Sequence, residues 1–292
     1  MYARLKNSVP ISAWYMLLSA LGFALMAACV KTANTAYGIP VLEIVAARAI
    51  VSAIISYADV KRKRISVWGN NKPWLIARGT VGAVALMLVY YAITTLPLAE
   101  ATILQYLHPV FTAILALLFL KENIQRSTLT CIVLSLLGLF IMIQPNFLQD
   151  SITQYSWLSI GAGMLGAFGS AVAYVIVKKL TKTDDSSVIV FYFPIIALPI
   201  SIFLLGSDFV IPSLAALGVL ILVGIFTQIG QIGLTKALHS ADANKATAYA
   251  YVQVLFSVFI GWAYFSEIPA STTIIGGTLI MTGALINVFW KR

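Results

Sequence analysis

Four ionisable side chains stand inside or at the edge of otherwise apolar sequence: Glu43, Arg48, Arg78 and Glu100. A charge in hydrocarbon is costly, so each is expected to face a cavity, a partner of opposite sign or the membrane rim. Glu43 and Arg48 are five residues apart, a poor spacing for a pair on one helix face. Arg78 lies one turn into an apolar run and has two readings: a stem that snorkels to the nearer surface, or a gate at the inner mouth of a cavity. Glu100 and Lys31 fall at the ends of two other runs, where they could pair as an outer gate.

A second set is uncharged. Gln105, His108 and Thr112 are spaced i, i+3 and i+7 and share one helix face. Pro109, next to His108, leaves the carbonyl of residue 105 without its helical donor. Amide, imidazole, hydroxyl and free carbonyl then converge on one distorted segment, which suits solute binding. Gln228, Gln231 and Thr235 make a similar stripe further on, and Tyr249, Gln253 and Phe256 share a third face. Aromatic rings there can sandwich a planar solute. Each position also has a plainer reading: hydrogen bonds between helices for the amides and hydroxyls, core packing or interface anchoring for the tyrosines. Tyr90 and Tyr91 read as belt residues. His108 is also a candidate proton carrier, because imidazole ordinarily titrates near neutrality.

The elements that must hold these residues follow from composition. The chain has 292 residues, 60% of them hydrophobic and 10% charged. A soluble domain carries about 25% charge, so too little polar surface exists here to cover a water-soluble body. Apolar runs near 20 residues recur throughout and predict an all-α integral membrane protein with ten transmembrane helices. They fall near 14–30, 39–58, 74–91, 98–120, 127–143, 157–177, 187–205, 213–235, 241–265 and 271–290. The net charge of +9 sits at the ends of these runs, where it orients a membrane protein, and does not imply a nucleic-acid partner. Cys29 and Cys131 lie within apolar runs and read as packing residues. No convincing cleavable signal precedes the first run. The sequence shows no phosphate loop, no paired Cys/His metal spacing and no serine elbow, so neither cofactor, metal nor enzyme is expected.

Residues 91–123 and 236–268 align without a gap at an offset of 145, pairing Ala92 with Ala237, Tyr106 with Tyr251 and Glu122 with Glu267. The chain therefore divides into a cytoplasmic tail, 1–13, a five-helix repeat, 14–143, an external connection, 144–156, and a second five-helix repeat, 157–290. Five is odd, so the repeats are inverted, an arrangement that many secondary transporters use to build two exchangeable states. With the N-terminus inside, 16 of the 19 Lys and Arg residues fall on the cytoplasmic side; Lys31, Arg48 and Arg78 are the others. Glu122 and Glu267 are expected to be structural, capping the helices at 127–143 and 271–290 or tying them to a neighbour.

Two segments carry a resemblance to a known family: Arg78-Gly79-Thr80-Val81-Gly82, and the run from Tyr90 to Glu122 with its echo from Lys236 to Glu267. The chain resembles the drug/metabolite transporter superfamily in its EamA-domain branch over residues 10–290. The resemblance implies ten helices in two inverted repeats, both termini cytoplasmic, with helices 1, 3, 4, 6, 8 and 9 around a central cavity and helices 5 and 10 at the periphery. It implies a small organic solute carried across the inner membrane without selecting among amino acids, S-adenosylmethionine, riboflavin, purines, drugs or nucleotide-linked metabolites. The expected wall, which mixes amides, aromatics and both charge signs, favours an amino-acid-like or S-adenosylmethionine-like one. Protons or a counter-solute are candidate coupling partners, and the protein is expected as a monomer or weak homodimer in lipid. A lipid flippase and a non-transporting scaffold are the alternative functions. First repeats of this family often have proline where Pro109 stands, whereas the second repeat here has Val254, so a weaker break is expected in helix 9.

The charge count predicts that Lys6→Cys and Arg292→Cys, in a background without Cys29 and Cys131, stay unlabelled by an impermeant thiol reagent in intact cells, and that Asn146→Cys is labelled. The reverse pattern would show the opposite orientation.

Overall fold

A computed structural model describes residues 10–95, 104–143, 157–266 and 271–290. Ten helical segments account for most of them: α1 (Ile11–Tyr37), α2 (Val41–Arg62), α3 (Lys72–Thr95), α4 (His108–Phe119), α5 (Arg126–Ile143), α6 (Trp157–Leu180), α7 (Ser186–Leu205), α8 (Leu214–Ser240), α9 (Ala243–Phe265, interrupted by a 3-10 turn at Tyr249–Tyr251) and α10 (Ser271–Phe289). Eight are long and apolar enough to cross a membrane, which makes the chain an all-α multi-spanning protein. The expectation of ten full crossings is met only to that extent. α4 and α5 fall short among the described residues, α4 because a turn at Tyr106–Leu107 cuts it to 12 residues with Pro109 in its first turn.

Several helices outrun the apolar stretches that predicted them. α1 continues to Tyr37 because its polar last turns are satisfied locally: Thr32 donates to the Ala28 carbonyl at 3.0 Å and Thr35 to that of Lys31 at 2.7 Å. Gly38, at φ 66°, then ends the helix in the left-handed conformation that glycine adopts without steric cost.

The packing repeats. α1 lies against α8 and α6 against α3; α2 packs on α7 and α5 on α10; α4 meets α6, and α9 meets α1. Adding five to each helix number, and wrapping past ten, leaves this pattern unchanged, as expected of a duplicated unit. Small residues make the close pairs possible, as in other helix interfaces built for membranes. A Cβ on Gly22 would stand 2.8 Å from the backbone nitrogen of Gly230, and one on Gly233 would stand 2.8 Å from the Tyr15 carbonyl oxygen. Ser19 donates to the Gly230 carbonyl at 2.7 Å across the same seam. In the α3–α6 pair, Gly166 meets Val89 and Gly169 meets Ala85. Cys131 is buried in the α5–α10 seam, where its backbone meets Gly283.

Gly233→Leu has only backbone to push against, so it should cost about 1–3 kcal/mol and lower both folded yield and thermal midpoint. Gly161→Ala, where an added Cβ meets nothing within 4 Å, should be neutral or slightly stabilising. Equal behaviour of the two variants in detergent-solubilised protein would contradict this packing.

Candidate functional site

The two buried arginines come together. Arg48 on α2 starts seven residues below the end of its helix, about 10 Å at the usual rise per residue, and is only 4% exposed. Arg78 on α3 is equally buried. Their guanidinium carbons stand 5.3 and 5.4 Å from the centroid of one ring, Phe193 on α7. Arg48 also donates to the Tyr90 hydroxyl at 3.4 Å and approaches the Met26 sulfur at 3.9 Å. Arg78 donates to the Gln231 side-chain oxygen at 3.3 Å, and its Nε has no partner. Among the described residues, no carboxylate lies within 4.0 Å of either cation.

Snorkelling is not what Arg78 does. A Cβ on Gly82, one turn deeper into the bundle, would collide with Arg78 Nη1, so the guanidinium lies along its own helix at the level of Gly82. Gly79 meets the Tyr192 carbonyl and Ile196, letting α3 press onto α7. The Arg-Gly-x-x-Gly run thus has a local purpose: one glycine brings α7 and its Phe193 close, and the other leaves space for the cation.

The uncharged candidates scatter more than their spacing suggested. Thr112 is buried and spends its hydroxyl on the His108 carbonyl at 2.8 Å. His108 is buried with Nδ1 unpartnered, edge-on to Tyr174 of α6 at 5.3 Å. Gln228 donates to Ser56 on α2 at 2.6 Å, and Gln231 holds Arg78. Gln105 and Gln253 are half-buried. The Tyr249 hydroxyl donates to the Asn287 carbonyl on α10 at 3.2 Å. Glu100 and Glu267 lie outside the described residues.

Both α4 and α9 are interrupted at equivalent positions, the turn at Tyr106–Leu107 and the 3-10 turn at Tyr249–Tyr251. The break in α9 is the weaker of the two, as expected: its 3-10 turn leaves Ala243–Phe265 one continuous span, whereas the turn at Tyr106–Leu107 cuts α4 to 12 residues. The two breaks hold one another: the Tyr251 ring stacks on Tyr106 at 6.0 Å, and its hydroxyl donates to the Tyr106 carbonyl at 3.1 Å.

Polar ties close the two ends of the bundle. At the basic end, Lys63 reaches Asp185 at 2.8 Å and Asp59 at 3.1 Å. Ser187 donates to Asp59, and the Asn70 backbone N–H donates to Asp184 at 2.5 Å. Burial pulls the Lys63 ammonium down, but hydrogen bonds and charge from Asp185 and Asp59 outweigh it and the net shift is upward. Burial likewise pushes the Asp185 carboxyl up, and Lys63 together with Ser187 brings it below its ordinary value. A cavity of about 410 Å³ opens beside this cluster, lined by Asp59, Lys63, Ser187 and Lys236, away from Arg48 and Arg78. Glu122 ties to a neighbouring helix. It does not cap α5; it accepts from the Asn244 backbone and side chain at 3.3 and 3.2 Å, capping α9, whose own Asp242 makes no side-chain cap. Burial raises the Glu122 carboxyl, and the N–H groups of Ala243 and Asn244 only partly offset it. At the opposite end Glu43 accepts from the Val210 backbone at 3.0 Å, so it does not serve Arg48. Lys31 stands over the Phe265 ring at 4.4 Å.

Helices of this length and polarity, packed as two matching sets around buried charges, define a multi-pass integral membrane transporter. The chain belongs to the EamA-like transporter family, which it matches over residues 10–144 and again over 148–289. It is 32% identical over 269 residues to the pseudopaline exporter CntI of Pseudomonas aeruginosa, covering 92% of each chain. It is 25% identical over 224 residues to an S-adenosylmethionine uptake transporter of Rickettsia bellii, covering 76% and 75%. A solved crystal structure superposes with a TM-score of 0.80 at 16% identity, covering 94% of this chain and 95% of the other, a likeness of fold. The protein accordingly carries out secondary transport of a small solute across a membrane and is not an enzyme.

The tie between Lys63 and Asp185 has a defined pH window. A depressed Asp185 contributes stability that is present above about pH 4 and is lost as pH falls through its folded value; a raised Lys63 contributes stability present below about pH 10 and lost as pH rises through its own. The wild type should exceed Asp185→Asn in thermal midpoint by a constant margin from about pH 5 to 9, and the margin should shrink outside that window. A margin that varies strongly between those values would contradict the pairing.

Proposed function

We propose that this protein carries an amino-acid-like or S-adenosylmethionine-like organic metabolite across the inner membrane, with both termini cytoplasmic. In this reading residues 14–143 and 157–290 are two inverted five-helix units joined by an external connection, 144–156. The solute sits between them, and the units rock to expose it to one side and then the other. The observation that carries the reading is the paired interruption of α4 and α9, where backbone leaves regular helix at equivalent points of both units. Around it, Gln105, His108, Gln231 and Gln253 supply polar wall, with Arg48 and Arg78 deeper. Gln228, Thr112 and Tyr249 support that wall through their bonds to Ser56, the His108 carbonyl and Asn287. The names of the relatives, one an exporter and one an uptake transporter, favour an organic metabolite and leave the direction of transport open.

The basic-end cluster of Asp59, Lys63 and Asp185 joins α2 to the start of α7 and serves as the cytoplasmic gate in this scheme. His108, with a buried and unpartnered Nδ1, is the candidate for proton coupling.

Purified protein in liposomes, screened against pooled labelled metabolites, should take up or exchange at least one organic solute. Gln105→Ala, His108→Ala and Gln253→Ala should each weaken that solute about 2- to 13-fold, the value of one neutral hydrogen bond. Tyr249→Phe should lower thermal midpoint more than affinity, because it strips a donor from the Asn287 carbonyl. Folded protein that moves none of the pool would contradict the transport assignment, and unchanged affinity in all three pocket variants would remove the wall.

A further inference from the structure

Each arginine brings five N–H donors and a charge that it does not surrender in a protein. Arg48 and Arg78 are both about 96% buried and share Phe193, yet the groups that meet them are a hydroxyl, a thioether and an amide oxygen, at 3.3–3.9 Å. Those contacts are long and neutral, whereas a guanidinium–carboxylate bond closes to about 2.7–2.9 Å and is frequently bidentate. Two like charges at one ring, each within 5.4 Å of its centroid, also repel, and that repulsion grows as water is excluded. Glu43, five residues from Arg48 on the same helix, does not neutralise it: one carboxylate oxygen accepts from the Val210 backbone and the other is buried without a partner. Arg78 Nε, buried and without an acceptor, is a donor still waiting for one.

We infer that Arg48 and Arg78 form a carboxylate-binding site, and that the transported solute is a small organic acid with more than one carboxylate, which supplies the missing negative charge. This inference rests on the transport reading and narrows it. Two cations that have no counter-charge among the described residues favour an anion over a solute of net positive charge such as S-adenosylmethionine. Phe193 belongs to α7 and Gln231 to α8, while the arginines come from α2 and α3. An anion held there touches both units, so its arrival or departure alters the energy of their contact.

The test uses the purified full-length protein in detergent. Glutarate and citrate are the probes, glutaramide is the uncharged counterpart, and sodium chloride at matched ionic strength is the blank. The expected result is a rise in thermal midpoint with glutarate or citrate and none with glutaramide or salt. Arg48→Gln and Arg78→Gln should each abolish that rise. Each should also raise the midpoint of the solute-free protein, because an uncompensated charge has been removed; a guanidinium that only held helices together would give the opposite sign. Arg48→Lys and Arg78→Lys keep the charge without the fork and should retain a response about tenfold weaker; they decide the matter if a glutamine variant does not fold. No response of the wild type to either acid, a response that persists in the double glutamine variant, or a solute-free midpoint that falls in both glutamine variants would overturn the inference. Failure of the transport reading is seen separately in the liposome screen. A transported solute without a carboxylate would overturn the anion site and leave transport standing.

Discussion

A guanidinium keeps its proton even inside a bundle of helices, and this bundle holds two within reach of a single phenylalanine ring. Much of the local sequence answers to that fact. Gly82 leaves the space in which Arg78 lies, Gly79 brings α7 close enough to present Phe193, and Tyr90 and Gln231 offer the nearest oxygen atoms. Ring faces attract cations, by about 2 kcal/mol or more when desolvated, and this softens the cost without cancelling charge. Among the described residues no carboxylate stands within 4.0 Å of either cation. Retaining the imbalance resembles the stability given up at other functional sites for a ligand that completes them.

The surrounding helices pack in a pattern that repeats. Helices pair across the repeats, α1 with α8 and α6 with α3, through seams of glycine and serine that permit close backbone approach. At the basic end charged residues bind α2 to α7, and at the opposite end Glu43 binds α2 to the connection ahead of α8. Both closures are made of a few polar bonds between otherwise apolar helices. Such contacts are individually modest, of the order of 1 kcal/mol. The stacked tyrosines 106 and 251 fix the interrupted segments of α4 and α9 against each other in the midst of this.

Composition and hydropathy were enough to read helices, their order and their duplication, because a membrane chain must satisfy its backbone within each crossing. The charged residues were legible as unusual for the same reason. Their partners were not. Phe193 is one apolar residue among many in α7, and nothing in its neighbours marks it as the ring between two cations. Tyr90 looked like a belt residue, and only the depth of Arg48 shows what its hydroxyl meets. Glu122 was correctly expected to cap a helix, but the helix is α9, distant in sequence. Asn287 drew no reading from the sequence; its side chain joins Thr128 on α5 and the Lys245 carbonyl on α9 through packing that local pattern does not encode. The break in α9 shows the limit of proline as a signal, since the equivalent position holds Val254 and the helix still departs from regular geometry.

The most direct measurement is a structure of the protein with its transported solute bound. The expected result places solute carboxylate oxygens about 2.7–2.9 Å from both guanidinium groups, between Phe193 and Gln231. A solute bound elsewhere, with Arg48 and Arg78 still facing only neutral groups or paired with a carboxylate of the protein, would contradict the view that the cargo supplies the missing charge.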